Sequence, residues 1–110
     1  MEIRRGDLVT VATAGDYGKP RPALVVQADA FRELESVTVL RLTSELHEWP
    51  LFRISIEPTP ESGLRRRSQI MIDKATTVRR GKIGQRVGRV DNDTMRAVDG
   101  ALARFLGVQR

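Results

Sequence analysis

The sequence has no cysteine. That excludes a disulfide scaffold, a thiol nucleophile, an Fe–S cluster and cysteine-ligated zinc. His47 is its single histidine, so a zinc site built on two or more histidines is excluded as well. Aromatic residues are scarce: Tyr17, Phe31, Trp49, Phe52 and Phe105. An extended stacking platform of the kind that single-strand binders use is therefore not expected. No apolar run approaches the roughly 20 residues that a bilayer requires, so no membrane association is expected. The opening residues Met1-Glu2-Ile3-Arg4-Arg5-Gly6-Asp7 hold no apolar signal region, which predicts a cytoplasmic location.

What remains is a globular composition. The 110 residues allow one domain, residues 1–110, with 40% apolar and 30% charged residues. A chain of this size buries roughly two-thirds of its unfolded surface, so one core needs no staples. The net charge is +5, and its distribution matters more than its total. Residues 1–64 carry 7 basic and 10 acidic groups, a net of −3. Residues 65–90 carry 9 basic groups and the single acid Asp73, a net of +8. Residues 91–110 balance at 3 and 3. The excess is one segment, Arg65-Arg66-Arg67, Lys74, Arg79-Arg80, Lys82, Arg86 and Arg89. Such a surface attracts a polyanion and speeds its encounter. The alternative is a solvated basic face that aids solubility alone.

Strand patterns dominate the chain. Leu8–Ala12, Ala23–Gln27, Val37–Thr43, Leu51–Ile56 and Ser68–Asp73 read as strands. Thr76–Val78 and Arg86–Val90 are shorter candidates around a Gly81-Lys82-Ile83 turn. Thr13–Pro20, Ser44–Pro50 and Glu57–Gly63 carry glycine, proline or polar residues and read as loops. Asp29–Leu34 is compatible with one short helical turn. The last element differs. Met95, Val98, Leu102, Phe105 and Leu106 recur at spacings of three and four, which predicts a helix over about 92–106. Asp91 is placed as its N-cap and Gly107 as its stop signal. Val90 and Met95 fit a hydrophobic staple. Short strands followed by one helix predict a mainly β fold, a small curled sheet or barrel with the C-terminal helix lying on it. Val25, Leu40, Leu42 and Ile70 are predicted core residues.

The common enzyme signatures are missing. No glycine-rich phosphate loop opens a helix, and no Gly-x-Ser-x-Gly elbow supports a serine triad. One constellation is more specific. Lys19-Pro20-Arg21-Pro22 sets an arginine at the mouth of a strand, with its backbone stiffened on both sides. Thr43-Ser44 ends another apolar strand, where hydroxyls can face a ligand. A guanidinium fork and a hydroxyl donor together suit a phosphate. The plainer alternative is that Arg21 pairs with a surface carboxylate and Thr43 only ends a strand.

The order of these segments resembles the MazF/PemK (Kid) toxin family. The similarity is carried by Arg5-Gly6-Asp7-Leu8-Val9-Thr10-Val11, Gly18-Lys19-Pro20-Arg21-Pro22-Ala23-Leu24-Val25-Val26-Gln27 and Leu42-Thr43-Ser44. It continues through Ser68-Gln69-Ile70-Met71-Ile72-Asp73-Lys74 and Val87-Gly88-Arg89-Val90 into the final helix. The resemblance implies an SH3-like barrel that forms a homodimer and binds RNA in a groove across the dimer. It implies a metal-independent endoribonuclease without cofactor, which cuts single-stranded RNA at short sequences. The implied products are a 2′,3′-cyclic phosphate and a 5′-hydroxyl. The family's catalytic arginine and threonine fall on Arg21 and Thr43. The glutamate that many relatives carry five residues before the arginine falls on Asp16, and an aspartate of the PemK-like branch lies near Asp73. Met71 stands where that branch often has an arginine. A cognate antitoxin is implied as partner, with an acidic tail that competes with RNA for the basic groove.

The implied chemistry needs a base for the 2′-proton, an acid for the leaving oxygen and cations for the phosphorane. Arg21 suits charge stabilisation and Thr43 orientation of a phosphate oxygen. Asp16 is the leading base and His47 the second. Tyr17, Lys19, Ser44, His47, Asp73 and Arg79 are the candidate substrate-binding residues. Two other classes remain open. One is a gyrase poison of the same fold, like CcdB, against which the end Leu106-Gly107-Val108-Gln109-Arg110 lacks a tryptophan. The other is a non-catalytic SH3-like nucleic-acid-binding module.

Overall fold

The computed structural model describes residues 2–12 and 19–108. Six strands run β1 (Asp7–Val11), β2 (Arg21–Val25), β3 (Ser36–Thr43), β4 (Arg53–Ile56), β5 (Ser68–Arg79) and β6 (Ile83–Arg89). One helix, α1 (Asn92–Leu106), follows, and short 3-10 turns occupy Asp29–Phe31 and Arg80–Lys82. All pairings are antiparallel, in the order β4-β5-β3-β2-β1-β6. The predicted mainly β fold with a C-terminal helix is what the chain adopts.

Strand alternation explains the two cores. Leu8, Leu24, Leu40 and Leu42 face one side, under α1, with Val98 and Ala101 of the helix. Val9, Val11, Ala23, Val25, Val37 and Val39 face the other. Successive side chains point to opposite faces, so a strand that is apolar throughout feeds both. Each fully buried leucine contributes about 1.5–3 kcal/mol of hydrophobic stabilisation.

The sequence reading split β5 in two; it is one strand of 12 residues with a large bulge. Leu42 pairs with Ile70, yet Leu40 pairs with Ala75. Two steps on β3 thus span five on β5, three more than an even ladder. An odd insertion exchanges the faces. Ile70 and Ile72 accordingly enter the helix-side core and Val78 the opposite one. The bulge bends β5 so that its first half also pairs with β4.

The curled sheet is bridged at its two edges. The loop after β4 lies on β6, where the Arg89 amide donates to the Glu61 carbonyl at 2.8 Å. Gly63 has φ +69, and a Cβ there would lie 2.1 Å from the Val87 carbonyl oxygen. A Cβ on Gly88 would lie 2.3 Å from the Ser62 carbonyl oxygen. Only glycine permits this approach. Buried Ser62 organises the loop, its Oγ accepting from the amides of Thr59 and Leu64.

α1 spans the predicted residues. The Asp91 carboxylate accepts from the Thr94 amide at 2.7 Å, and Gly107 closes the helix at φ 72. The predicted apolar face is corrected at its end. Phe105 and Leu106 are 53% and 64% exposed, and Ala101 is buried in their stead. The helix packs on β4 and β5 through its middle turns, and its last turn runs past them.

Candidate active site

β2 begins where β3 ends. Their last registered pair on this side is Ala23 with Arg41. Continued two residues further, that register sets Arg21 opposite Thr43. Both line an open cavity of about 860 Å³. Pro22, which has no amide proton to donate, occupies the second position of β2, as a strand beginning allows.

The cavity gathers cations from distant parts of the chain. Arg21 comes from β2, Arg41 from β3, Arg65 and Arg66 from the loop before β5, and Arg86 from β6. Among the described residues, Arg21, Arg65 and Arg66 have no carboxylate within ion-pair distance. Arg86 is different: its Nε lies 3.2 Å from Oδ1 of Asp7, which is 2% exposed. Arg89 Nη1 reaches the same oxygen at 2.6 Å, and the Arg4 amide donates to Oδ2. Asp7 thus holds two arginines of β6 from beneath, and one of them lines the cavity.

Hydroxyls complete the wall. Thr43 Oγ1 accepts from the Glu45 amide at 3.1 Å, which leaves its proton available to a ligand oxygen. Ser44 lines the same cavity and is exposed. Cations and hydroxyl donors around an open concavity are what binding of a phosphodiester requires.

The other predicted residues are distributed more widely. Asp16 and Tyr17 lie outside the described residues. Lys19 is exposed and directly precedes Pro20 at the cavity rim. Asp73 sits in the β5 bulge, half-buried, with Oδ2 3.6 Å from Lys74 Nζ. Its Oδ1 is buried without a hydrogen-bond partner among the described residues. Neither Asp73 nor Arg79 lines the cavity with Arg21. Arg79 is exposed at the far end of β5, opposite Ser36. His47 lines a neighbouring cavity of about 740 Å³, with its ring stacked on Trp49. Among the described residues, no three His, Asp or Glu side chains are placed to hold a metal ion.

The nine basic residues of 65–90 do not form one continuous face. Arg67 pairs with Glu57 at 2.8 Å. Arg80 donates to the carbonyls of Leu34 and Arg32. Arg86 and Arg89 share Asp7. Of the five arginines that line the cavity, two, Arg21 and Arg41, come from outside the basic segment. Sequence reasoning missed Arg41 and the particular place of Arg86, because strand pairing alone brings them to Arg21.

Comparison with known proteins agrees with this architecture. The family model of the PemK-like, MazF-like toxins of type II toxin–antitoxin systems matches residues 4–106. The chain is 50% identical over 107 residues to the "Probable endoribonuclease MazF" of Mycolicibacterium smegmatis, covering 96% of this chain and 98% of that one. The structure of an endoribonuclease in complex with its cognate antitoxin, from a mycobacterial species, superposes with a TM-score of 0.82 at 25% identity, covering 98% of both chains. A MazE–MazF structure from Deinococcus radiodurans superposes with a TM-score of 0.78 at 21% identity, over 97% of each chain. From the match along nearly its whole length, the chain belongs to the PemK-like, MazF-like toxin family of type II toxin–antitoxin systems.

Proposed function

We propose that this chain is a sequence-specific endoribonuclease that cuts single-stranded RNA by transphosphorylation, without a metal. The observation that carries the reading is the convergence of Arg21 and Thr43 on one arginine-rimmed cavity. The M. smegmatis relative, half identical in sequence, bears the name of an endoribonuclease.

The ribose 2′-oxygen attacks the adjacent phosphorus and loses its proton to a base. The bond from phosphorus to the 5′-oxygen breaks, and that oxygen takes up a proton. The products are a 2′,3′-cyclic phosphate and a 5′-hydroxyl. The nucleophile is intramolecular, so no metal-activated water is called for. Arg21 stabilises the dianionic phosphorane, and Thr43 orients a non-bridging oxygen. Arg65, Arg66 and Arg86 anchor the flanking phosphates. Asp16 is assigned as the base. Lys19 and Ser44 extend the phosphate contacts at the rim, and Tyr17 is assigned to the substrate. Asp73 and Arg79 lie away from the cavity and contribute to binding only along a longer RNA.

The protein works as a cytoplasmic homodimer and is neutralised by an antitoxin with an acidic tail. Related toxins have been solved with their antitoxins, which supports such a partner. The test is cleavage of a long single-stranded RNA by purified protein in EDTA, with product ends mapped. Cuts at a recurring short motif with 5′-hydroxyl ends are expected. A folded protein that does not cut RNA but inhibits DNA gyrase would support the CcdB-like reading.

A further inference from the structure

We propose that the cavity beside the catalytic one is a nucleobase subsite. It takes one base flanking the scissile phosphate onto the His47–Trp49 stack. The proposal rests on the RNA-cleaving reading and names residues that set its sequence preference.

The two rings are stacked at 3.9 Å between centroids, with planes 3° apart. Trp49 also carries the Arg53 guanidinium, 4.9 Å from its centroid, and lies 5.4 Å from Phe52. Trp49 remains 42% exposed. A polar clamp fixes this stack. Gln69 is 6% exposed; its Oε1 accepts from the His47 amide at 3.1 Å, and its Nε2 donates to the His47 carbonyl at 2.8 Å. The same Oε1 accepts from Arg53 Nη1 at 3.2 Å. One buried amide therefore holds both backbone groups of His47 and the cation over Trp49. Such a loop is preorganised and loses little entropy when a ligand lands on it.

The lining identifies the ligand. The cavity presents flat rings together with the guanidinium of Arg67, whose Nε is paired with Glu57 and whose terminal nitrogens can still donate, and the carboxylate of Glu48 as an acceptor. A phosphate could meet the guanidiniums of Arg53 and Arg67 but has no flat face to offer the rings. A base has a π-face for the stack and both donors and acceptors on its edges. Position fixes which base. Thr43, Ser44, Arg66 and Ser68 line the catalytic cavity, whereas His47, Arg67 and Gln69 line this one. Thr43 of the catalytic cavity is paired across β3 and β5 with Gln69 of this one, so the two cavities adjoin at one strand pair and a chain held at Arg21 and Thr43 delivers a neighbouring nucleotide to the stack.

Trp49 is the only tryptophan, so its fluorescence reports on this site. The probe is a short RNA containing the mapped cleavage motif, with a single 2′-deoxy at the cleaved position to remove the nucleophile. Binding is followed independently by anisotropy of an end label. The RNA is expected to change Trp49 emission. An abasic replacement at one flanking position is expected to abolish that change and weaken binding about 5- to 150-fold, the range of base–aromatic stacking. His47→Ala should erase the sensitivity to that base, and His47→Phe should restore it. If His47→Ala fails to fold, the abasic series on the wild-type protein decides alone. RNA that binds with no flanking base coupled to Trp49 emission overturns the subsite and leaves the nuclease reading standing. An acidic peptide that changes Trp49 emission where RNA does not assigns the site to a protein partner and also overturns it. A protein that binds no RNA by anisotropy removes both readings.

Discussion

In the proposed mechanism, Arg21 is the residue on which catalysis turns. It lies at the rim of the sheet, exposed, with no carboxylate partner among the described residues and nothing packed on it that the fold requires. Arg21→Ala is therefore expected to leave thermal stability unchanged and to lower the cleavage rate on the order of a hundredfold or more. Thr43→Val keeps the shape and loses one neutral donor, worth roughly 1 kcal/mol, so about fivefold in rate. Asp7 is the opposite case, a buried carboxylate whose Oδ1 lies beside two guanidiniums. Asp7→Ala is expected to cost about 1–3 kcal/mol in chemical denaturation, and to weaken RNA binding by releasing Arg86.

Elements obey simpler rules, and most of them were legible. The period of three and four in Met95, Val98 and Leu102 marks α1, and Asp91 and Gly107 mark its ends. Only its last turn misled, since a helical stripe states which face is apolar and not where the partner sheet stops. β5 shows the converse limit. Its bulge is set by pairing with β3, a long-range fact that local alternation does not contain. Two predictions belong at this scale. The Thr94 hydrogen bonds hold the Asp91 carboxyl below the usual carboxylate range. A lowered native pKa means that the cap's contribution is complete above the ordinary carboxylate range and is lost as pH falls through the lowered value. Asp91→Asn should retain a cap and flatten that acid dependence, as read by thermal denaturation across pH. Gly88→Ala drives a methyl into the Ser62 carbonyl and is expected to destabilise by about 1–3 kcal/mol.

Across the whole molecule, the sheet's curl converts separate sequence segments into one surface. The Arg-Pro strand start, the Thr-Ser strand end and the arginine triplet are each visible in the sequence. Their convergence follows from β2 lying between β1 and β3 while β6 closes the far side. Arg67, Arg80 and Arg89, by contrast, turn to internal partners that composition does not reveal. The electrostatic expectation is correspondingly local. Arg65→Ala with Arg66→Ala should weaken RNA binding and reduce its salt slope by about 1.4, near 0.7 for each lost phosphate contact. Cleavage should persist. The decisive comparison sets wild-type protein beside natively folded Arg21→Ala on a long single-stranded RNA in EDTA, with rates and product ends measured together. Wild type is expected to cut at a short recurring motif and leave 5′-hydroxyl ends, with the variant on the order of a hundredfold slower or worse. Full activity in the variant would contradict a phosphate-stabilising role for Arg21 and move the chemistry out of this cavity.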